Sequence, residues 1–326
     1  MLTLPQPPSG AEPRLSIIVP CYQEEQVLQA FHQRIGELIE RLPVPCELLY
    51  INDGSSDDTP ALLRQFQQQP GVRCLHLSRN FGKEAALRAG LDHASGQAVV
   101  FIDADLQDPP ELIGLMVEHW LQGYDVVNMQ RSRRDGDSWL KKFTARLYYR
   151  IMRHLVGRGQ LPAQVSDFRL IGPAPLAALR AMDERVGLFK GLVGWVGFRT
   201  IELPYERVAR AAGTSKWDYP ALLNLALEGA LAFSRKPLRW YSVASLVIVL
   251  VCLGWMLAAL IAGSFSPVHL LLGVGGFLCL GVAMLGEYLG ATLFEVKRRP
   301  HYLLQGDSRV PGEPVVRRPF ARRRQA

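Results

Sequence analysis

Asp103 and Asp105 stand one residue apart at the end of the apolar run Ala98 to Ile102, with Gln107 two positions further on. Two carboxylates and an amide carbonyl are hard oxygen donors that suit Mg2+ or Mn2+ rather than zinc. Such ions are held by one or two carboxylates together with substrate phosphates, so the chemistry indicated is metal-assisted handling of a diphosphate. Taken alone, the tripeptide equally describes a solvated pair of acids after a strand. Asn52 to Asp57 is a second acidic, turn-rich segment after an apolar run, suited to capping the next helix or to hydrogen-bonding a base or ribose. Tyr22, Glu24 and Arg131 also follow apolar runs.

The elements that must position these residues alternate. Leu15 to Pro20 is a short buried strand, and Glu24 to Leu42 is a helix with Val27, Leu28, Phe31, Ile35, Leu38 and Ile39 on one stripe. Strands at Cys46–Ile51, Val72–Leu77, Ala98–Ile102 and Asp125–Met129 are separated by helices at Asp58–Gln68, Lys83–His93 and Pro110–Leu121. This rhythm predicts right-handed βαβ units and an α/β fold with a doubly wound, mainly parallel sheet. Such sheets bind ligands beyond the carboxyl ends of their strands, where the polar residues above converge. No Gly-x-Gly-x-x-Gly follows the first strand and no Walker-type loop is present, which argues against a dehydrogenase or an ATPase.

Charge is distributed unevenly over the 326 residues. Residues 1–129 hold 8 basic and 17 acidic side chains, residues 130–160 hold 9 and 2, and residues 296–326 again hold 9 and 2. An acidic first third is a poor platform for nucleic acid. From Trp240 to Gly286 there is no Asp, Glu, Lys or Arg, and this run divides into about 240–263 and 268–288. At 1.5 Å per residue, about 20 residues cross a bilayer, so two transmembrane helices are expected. Arg235, Lys236 and Arg239 before them and Lys297 to Arg299 after them place both ends in the cytosol. Tyr219 to Phe233 is an amphipathic helix that would lie in the headgroup layer or pack on the sheet domain. Met1 to Arg14 lacks the pattern of a signal peptide, and the five cysteines form no C-x-x-C pair, so neither a disulfide framework nor a zinc site is expected. The expected division is a flexible start (1–14), a catalytic domain (15–217), a juxtamembrane segment (218–239), two spans (240–290) and a basic cytosolic tail (291–326). That tail would sit against anionic lipid or be solvated.

Six segments in order, Ser16–Glu25, Asn52–Asp57, Ser78–Lys83, Asp103–Pro109, Ser166–Arg169 and Ala212–Trp217, together resemble the polyprenyl-phosphate glycosyltransferases. These are inverting, nucleotide-sugar-dependent enzymes of GT-A fold that include dolichol-phosphate mannose synthases and bactoprenol glucosyltransferases. The likeness runs from Leu15 to about Arg299, and the two-span hairpin is similar to the bactoprenol subgroup in particular. The resemblance implies nucleotide-sugar contacts at Pro20, Tyr22, Glu24, Asp53, Lys83, Asp103 and Asp105, with Asp53 reading the base. It implies a divalent metal, Mg2+ or Mn2+, at Asp103, Asp105 and Gln107. Arg131 would lie near the transferred phosphate, with Arg133 as the alternative register. Asp167 takes the position of the catalytic base with Arg169 beside it, and Ser215, Lys216 and Arg133 would meet the lipid phosphate. Asn52 stands where the family often has Asp.

The implied reaction is in-line attack of a polyprenyl monophosphate on the anomeric carbon of a hexose, with loss of a nucleoside diphosphate whose charge metal and arginines neutralise. The second pKa of a phosphate is about 6, so Asp167 would orient the acceptor or take only its residual proton. Glucose from UDP-glucose, undecaprenyl phosphate as acceptor, the bacterial inner membrane as location and a homo-oligomer, as far as a tetramer, follow from the subgroup likeness. Mannose or an aminopentose remains open. A processive polysaccharide synthase usually carries Gln-x-x-Arg-Trp and more spans, whereas Lys236 to Trp240 has Lys in place of Gln. A silent nucleotide-sugar-binding scaffold is the non-enzyme alternative, and the presence of Asp103, Asp105 and Asp167 argues against it.

Overall fold

The computed structural model describes residues 15–131, 165–182, 189–207, 236–262, 267–297 and 299–307. In chain order these form β1 (Leu15–Cys21), α1 (Leu28–Ile39), β2 (Cys46–Asn52), α2 (Thr59–Phe66), β3 (Val72–Leu77), α3 (Lys83–His93), β4 (Ala98–Phe101), α4 (Leu112–Leu121) and β5 (Val126–Arg131). After these come β6 (Val165–Ile171), α5 (Pro173–Ala181), α6 (Phe189–Trp195), β7 (Thr200–Tyr205), α7 (Lys236–Ile261), α8 (Pro267–Val296) and β8 (Leu304–Asp307). The strands join in one sheet of order β7-β5-β6-β4-β1-β2-β3-β8.

β1 runs parallel to both β2 and β4, β2 parallel to β3, and β5 parallel to β7. β6 lies antiparallel between β4 and β5, and β8 lies antiparallel on β3. The sheet is therefore mixed, although β1 to β5 and β7 all point the same way. The antiparallel β6 was not expected, because Ser166, Asp167 and Arg169 interrupt what would otherwise be an apolar run. β7 also escapes a search for apolar runs. It is an edge strand with Thr200, Glu202 and Pro204 outward and Tyr205 buried, and proline is tolerated only at such an edge.

Both faces of the sheet are covered, which is why its central strands are mostly apolar on both faces, with the buried Ser16 and Glu47 hydrogen-bonded to each other. Ile17, Val19 and Tyr50 pack with Phe31, Phe66 and Met116 of α1, α2 and α4. Ile18, Leu49 and Phe101 pack on the other face with Leu87 of α3, Leu176 of α5 and Phe189 of α6. The helices α3 and α5 also close each other's ends: Arg88 donates to the carbonyls of Leu179 and Met182 (3.1 and 2.7 Å), and Arg180 donates to those of Leu91 and Ala94 (2.9 and 2.7 Å). A last-turn carbonyl has no partner within its own helix, and a guanidinium supplies one.

α7 and α8 are continuous over 26 and 30 residues. Tyr241 stacks on Phe277 at 4.8 Å, and its hydroxyl donates to the Phe277 carbonyl at 3.0 Å. A Cβ at Gly281 would meet that hydroxyl at 2.0 Å, so a larger residue there would displace the Tyr241 ring. Large apolar residues including Val243, Val247, Leu250, Leu257, Leu278, Val282 and Leu289 are exposed along both helices. Among the described residues, no helix is long and apolar enough to cross a membrane. The expected amphipathic helix at 219–233 lies outside the described residues. The segment expected as a basic tail contributes its first residues to α8 and residues 304–307 to the sheet.

Candidate active site

Because six strands point one way and β6 and β8 the other, one edge of the sheet receives the carboxyl ends of β1, β2, β4, β5 and β7 together with the start of β6. Pro20 closes β1, with Tyr22 and Glu24 half-buried just beyond it. Their loop is laced to the one after β2. Gln23, at φ 54°, donates its backbone N–H to Ser55 Oγ at 3.0 Å, and the N–H of Glu24 donates to Thr59 Oγ1 at 2.9 Å. The β2 loop turns at Gly54, φ 66°, where a Cβ would sit 2.4 Å from the Arg79 carbonyl carbon.

That close approach explains Asp53. Its carboxylate is 3% exposed and accepts the backbone N–H of Phe81 at 2.7 Å and that of Gly82 at 2.9 Å. Burial pushes its pKa up against these two bonds and the charge of Arg79. Asp53 thus holds the turn that starts α3.

The turn sets Lys83 at the first position of α3, and this lysine is the centre of the site. Its Nζ lies 2.7 and 2.8 Å from the two oxygens of Asp103 and 3.0 Å from Asp167 Oδ2. Burial works against its charge, but the two carboxylates outweigh it and raise its pKa well above the usual lysine value. One ammonium therefore joins the acid after β4 to the acid on β6. Asp105, almost buried, accepts the Gln107 backbone N–H at 3.2 Å and faces Arg207 at 3.8 Å.

Asp167 and Arg169 share one face of β6. Arg169 is 1% exposed, and it donates from Nη2 to the Ser166 carbonyl at 2.8 Å. Burial lowers its pKa, against the charges of Asp167 and Glu84. Its Nε and Nη1 are buried without a hydrogen-bond partner among the described residues. A second cluster adjoins the first: Asp108, Ser166, Tyr205 and Arg207 surround Arg131, which ends β5. Of these, Asp108, Tyr205 and Arg207 carry no sequence signal of a site, since each becomes notable only through residues about 60 to 100 positions away. Arg133, Ser215 and Lys216 lie outside the described residues.

Among the described residues no group of three His, Cys, Asp or Glu side chains is disposed to hold a metal ion. The donor set nevertheless fits a hard divalent ion bound jointly with substrate phosphates, which needs only one or two carboxylates. Asp103 and Asp105, two residues apart beyond β4, supply them.

Residues 16–178 match the family described as Glycosyl transferase family 2. An uncharacterized glycosyltransferase of Synechocystis is 38% identical over 300 residues, which is 89% of this chain and 94% of that protein. A prophage-derived bactoprenol glucosyl transferase of Shigella flexneri is 37% identical over 91% of this chain and 99% of its own. A prophage bactoprenol glucosyl transferase homolog of Escherichia coli is 37% identical over 90% and 98%. Among solved structures, the glucosyl-3-phosphoglycerate synthase of Mycobacterium tuberculosis with Mn2+ and UDP-glucose is similar at 20% identity and a TM-score of 0.48, over 68% of this chain and 78% of that one.

Proposed function

This chain belongs to glycosyl transferase family 2 and is a glycosyltransferase, and on that footing we propose that it transfers a hexose, glucose from UDP-glucose in the first instance, to a polyprenyl phosphate at a membrane. The observation that carries the reading is the Lys83 bridge between Asp103 and Asp167. It gathers the acid after β4, suited to a divalent ion that would hold the donor's diphosphate, and the acid on β6 around one cation, so that donor and acceptor could meet at one place.

The acceptor class rests on relatives named bactoprenol glucosyl transferase, which match over nine-tenths of the chain, and on the apolar surface of α7 and α8. The uncharged sequence from Trp240 to Gly286 supports two spans. Topology supports an even number independently. β1 to β7 precede α7, β8 follows α8, and β8 is hydrogen-bonded to β3, so the chain must return to the side it left.

In this reading Asp103 and Asp105, with Gln107, would hold a divalent ion that neutralises charge on the departing diphosphate. Arg131 and Arg207 add positive charge beside Asp105 and Asp108. Asp167, paired with Lys83, orients the acceptor phosphate for attack on the anomeric carbon and need not act as a strong base, because a phosphate monoester is already largely ionised at neutral pH. Tyr22 and Glu24 lie where the nucleoside would rest, beyond β1. The test is to incubate the full chain in membranes with undecaprenyl phosphate and a panel of UDP- and GDP-sugars, with product identification by mass spectrometry. A glucosyl lipid from UDP-glucose is expected. Mannosyl or aminopentosyl lipid would change the sugar alone, and no lipid product from any donor would overturn the acceptor assignment.

A further inference from the structure

Asp108 is 1% exposed, follows the metal-type acids by only three residues and lies among hydroxyl and guanidinium groups. Its Oδ1 accepts the Tyr205 hydroxyl and lies 3.6 Å from Arg207 Nε. Its Oδ2 accepts the Ser166 hydroxyl at 3.5 Å. Both hydroxyls are in turn bound by one arginine: Arg131 donates from Nε to Tyr205 at 3.4 Å and from Nη2 to Ser166 at 3.3 Å. The Tyr205 pKa is pushed up to about 12 by burial and by Asp108, so its hydroxyl keeps the proton it donates. One carboxylate thus grips the fork of Arg131 through two hydroxyls and holds Arg207 directly, drawing together β5, β6, β7 and the loop after β4.

Without that carboxylate, the guanidinium groups would have Asp103 and Asp105 as their nearest anions. Arg207 already stands between the two choices, 3.8 Å from Asp105 and 3.6 Å from Asp108. We propose that Asp108 is a positioning residue that keeps Arg131 and Arg207 fixed beside Asp105, ready for the diphosphate of the nucleotide, instead of collapsed onto the acids that must take a cation. The proposal rests on the glycosyl-transfer reading above for the identity of that diphosphate. The physical basis is general: outer groups that fix an ion-binding or catalytic side chain typically matter by about 10- to 100-fold in affinity or activity.

The experiment uses the full-length protein in bilayers with Mn2+ and compares binding of UDP and UMP, with GDP and GMP in parallel, by calorimetry. Asp108→Asn is expected to weaken the nucleoside diphosphate by about 10- to 100-fold and the monophosphate by less than about threefold, because only the former reaches the arginines. Tyr205→Phe and Ser166→Ala, nearly isosteric, should each give part of that loss. Combined with Asp108→Asn they should add little, as groups acting through one partner are not additive. Unchanged diphosphate affinity in Asp108→Asn, equal losses for diphosphate and monophosphate, or fully additive losses would each overturn the proposal. If Asp108→Asn fails to fold, the Tyr205→Phe and Ser166→Ala pair decides: no selective loss for diphosphate overturns it. Wild-type protein that binds neither diphosphate overturns the donor assignment as well, whereas wild-type binding with an indifferent Asp108→Asn removes this inference alone.

Discussion

Lys83 turns two separate acidic motifs into one site. An ammonium shared by Asp103 and Asp167 is a compact point charge with three donors, whereas an arginine's larger planar fork has a different donor geometry. Lys83→Arg should therefore rescue little of the transfer that Lys83→Gln loses, about tenfold or more in kcat; near-wild-type turnover of the arginine variant would show that charge alone suffices. Asp167→Asn should keep nucleotide binding and lose most transfer, whereas Asp105→Ala should lose the metal-dependent part of nucleotide binding, read by calorimetry with and without Mn2+. Asp103 and Asp105 were visible in the sequence because two acids end an apolar strand within three residues. Asp108 passed unnoticed three residues further on, since its partners Ser166, Tyr205 and Arg207 meet it only through the crossing of β6 and β7. Asp53 was singled out from the sequence, whereas its hydrogen bonds to the α3 turn could not be read without the position of that turn.

Among the elements, the first five strands and four helices follow from apolar runs and helical stripes to within a few residues, because each is local and buried on at least one face. β6 and β7 do not, since their apolar positions alternate with charges and a proline that only the assembled sheet accommodates. The contact of α1 with α2 illustrates a buried group whose protonation is linked to folding. His32 stacks on Phe66 with ring centroids 3.8 Å apart, and its two nitrogens meet Tyr50 Oη and Gln69 Oε1 at 2.9 and 3.0 Å. Burial lowers its pKa, so below about pH 6.5, the usual histidine value, the unfolded chain binds more protons than the folded one. Stability should fall with pH there, by at most about 1.4 kcal/mol per pH unit for this one group. Thermal unfolding of wild type and His32→Gln at pH 7 and 5 checks it: the wild type should lose more on acidification, and equal losses would assign the effect elsewhere.

At the scale of the whole molecule, the sheet is closed on its β3 side by residues that come after the helical pair. Ser78 donates its N–H to the Leu303 carbonyl at 2.8 Å, Leu77 and Leu75 pair with Leu304 and Asp307, and the Tyr302 hydroxyl donates to Asp92 at 3.2 Å. A chain cut after residue 235 should therefore leave β3 with an open edge, a ready template for pairing with another copy. Self-association in size-exclusion chromatography, suppressed by an added peptide of residues 299–308, is the expected result; a well-behaved monomer without the peptide would show that β8 is dispensable. During synthesis β8 emerges after both α7 and α8. If those helices span a bilayer as proposed above, Leu304 can reach β3 only when they bring the chain back to its starting side, so pairing of β8 with β3 would report on correct insertion.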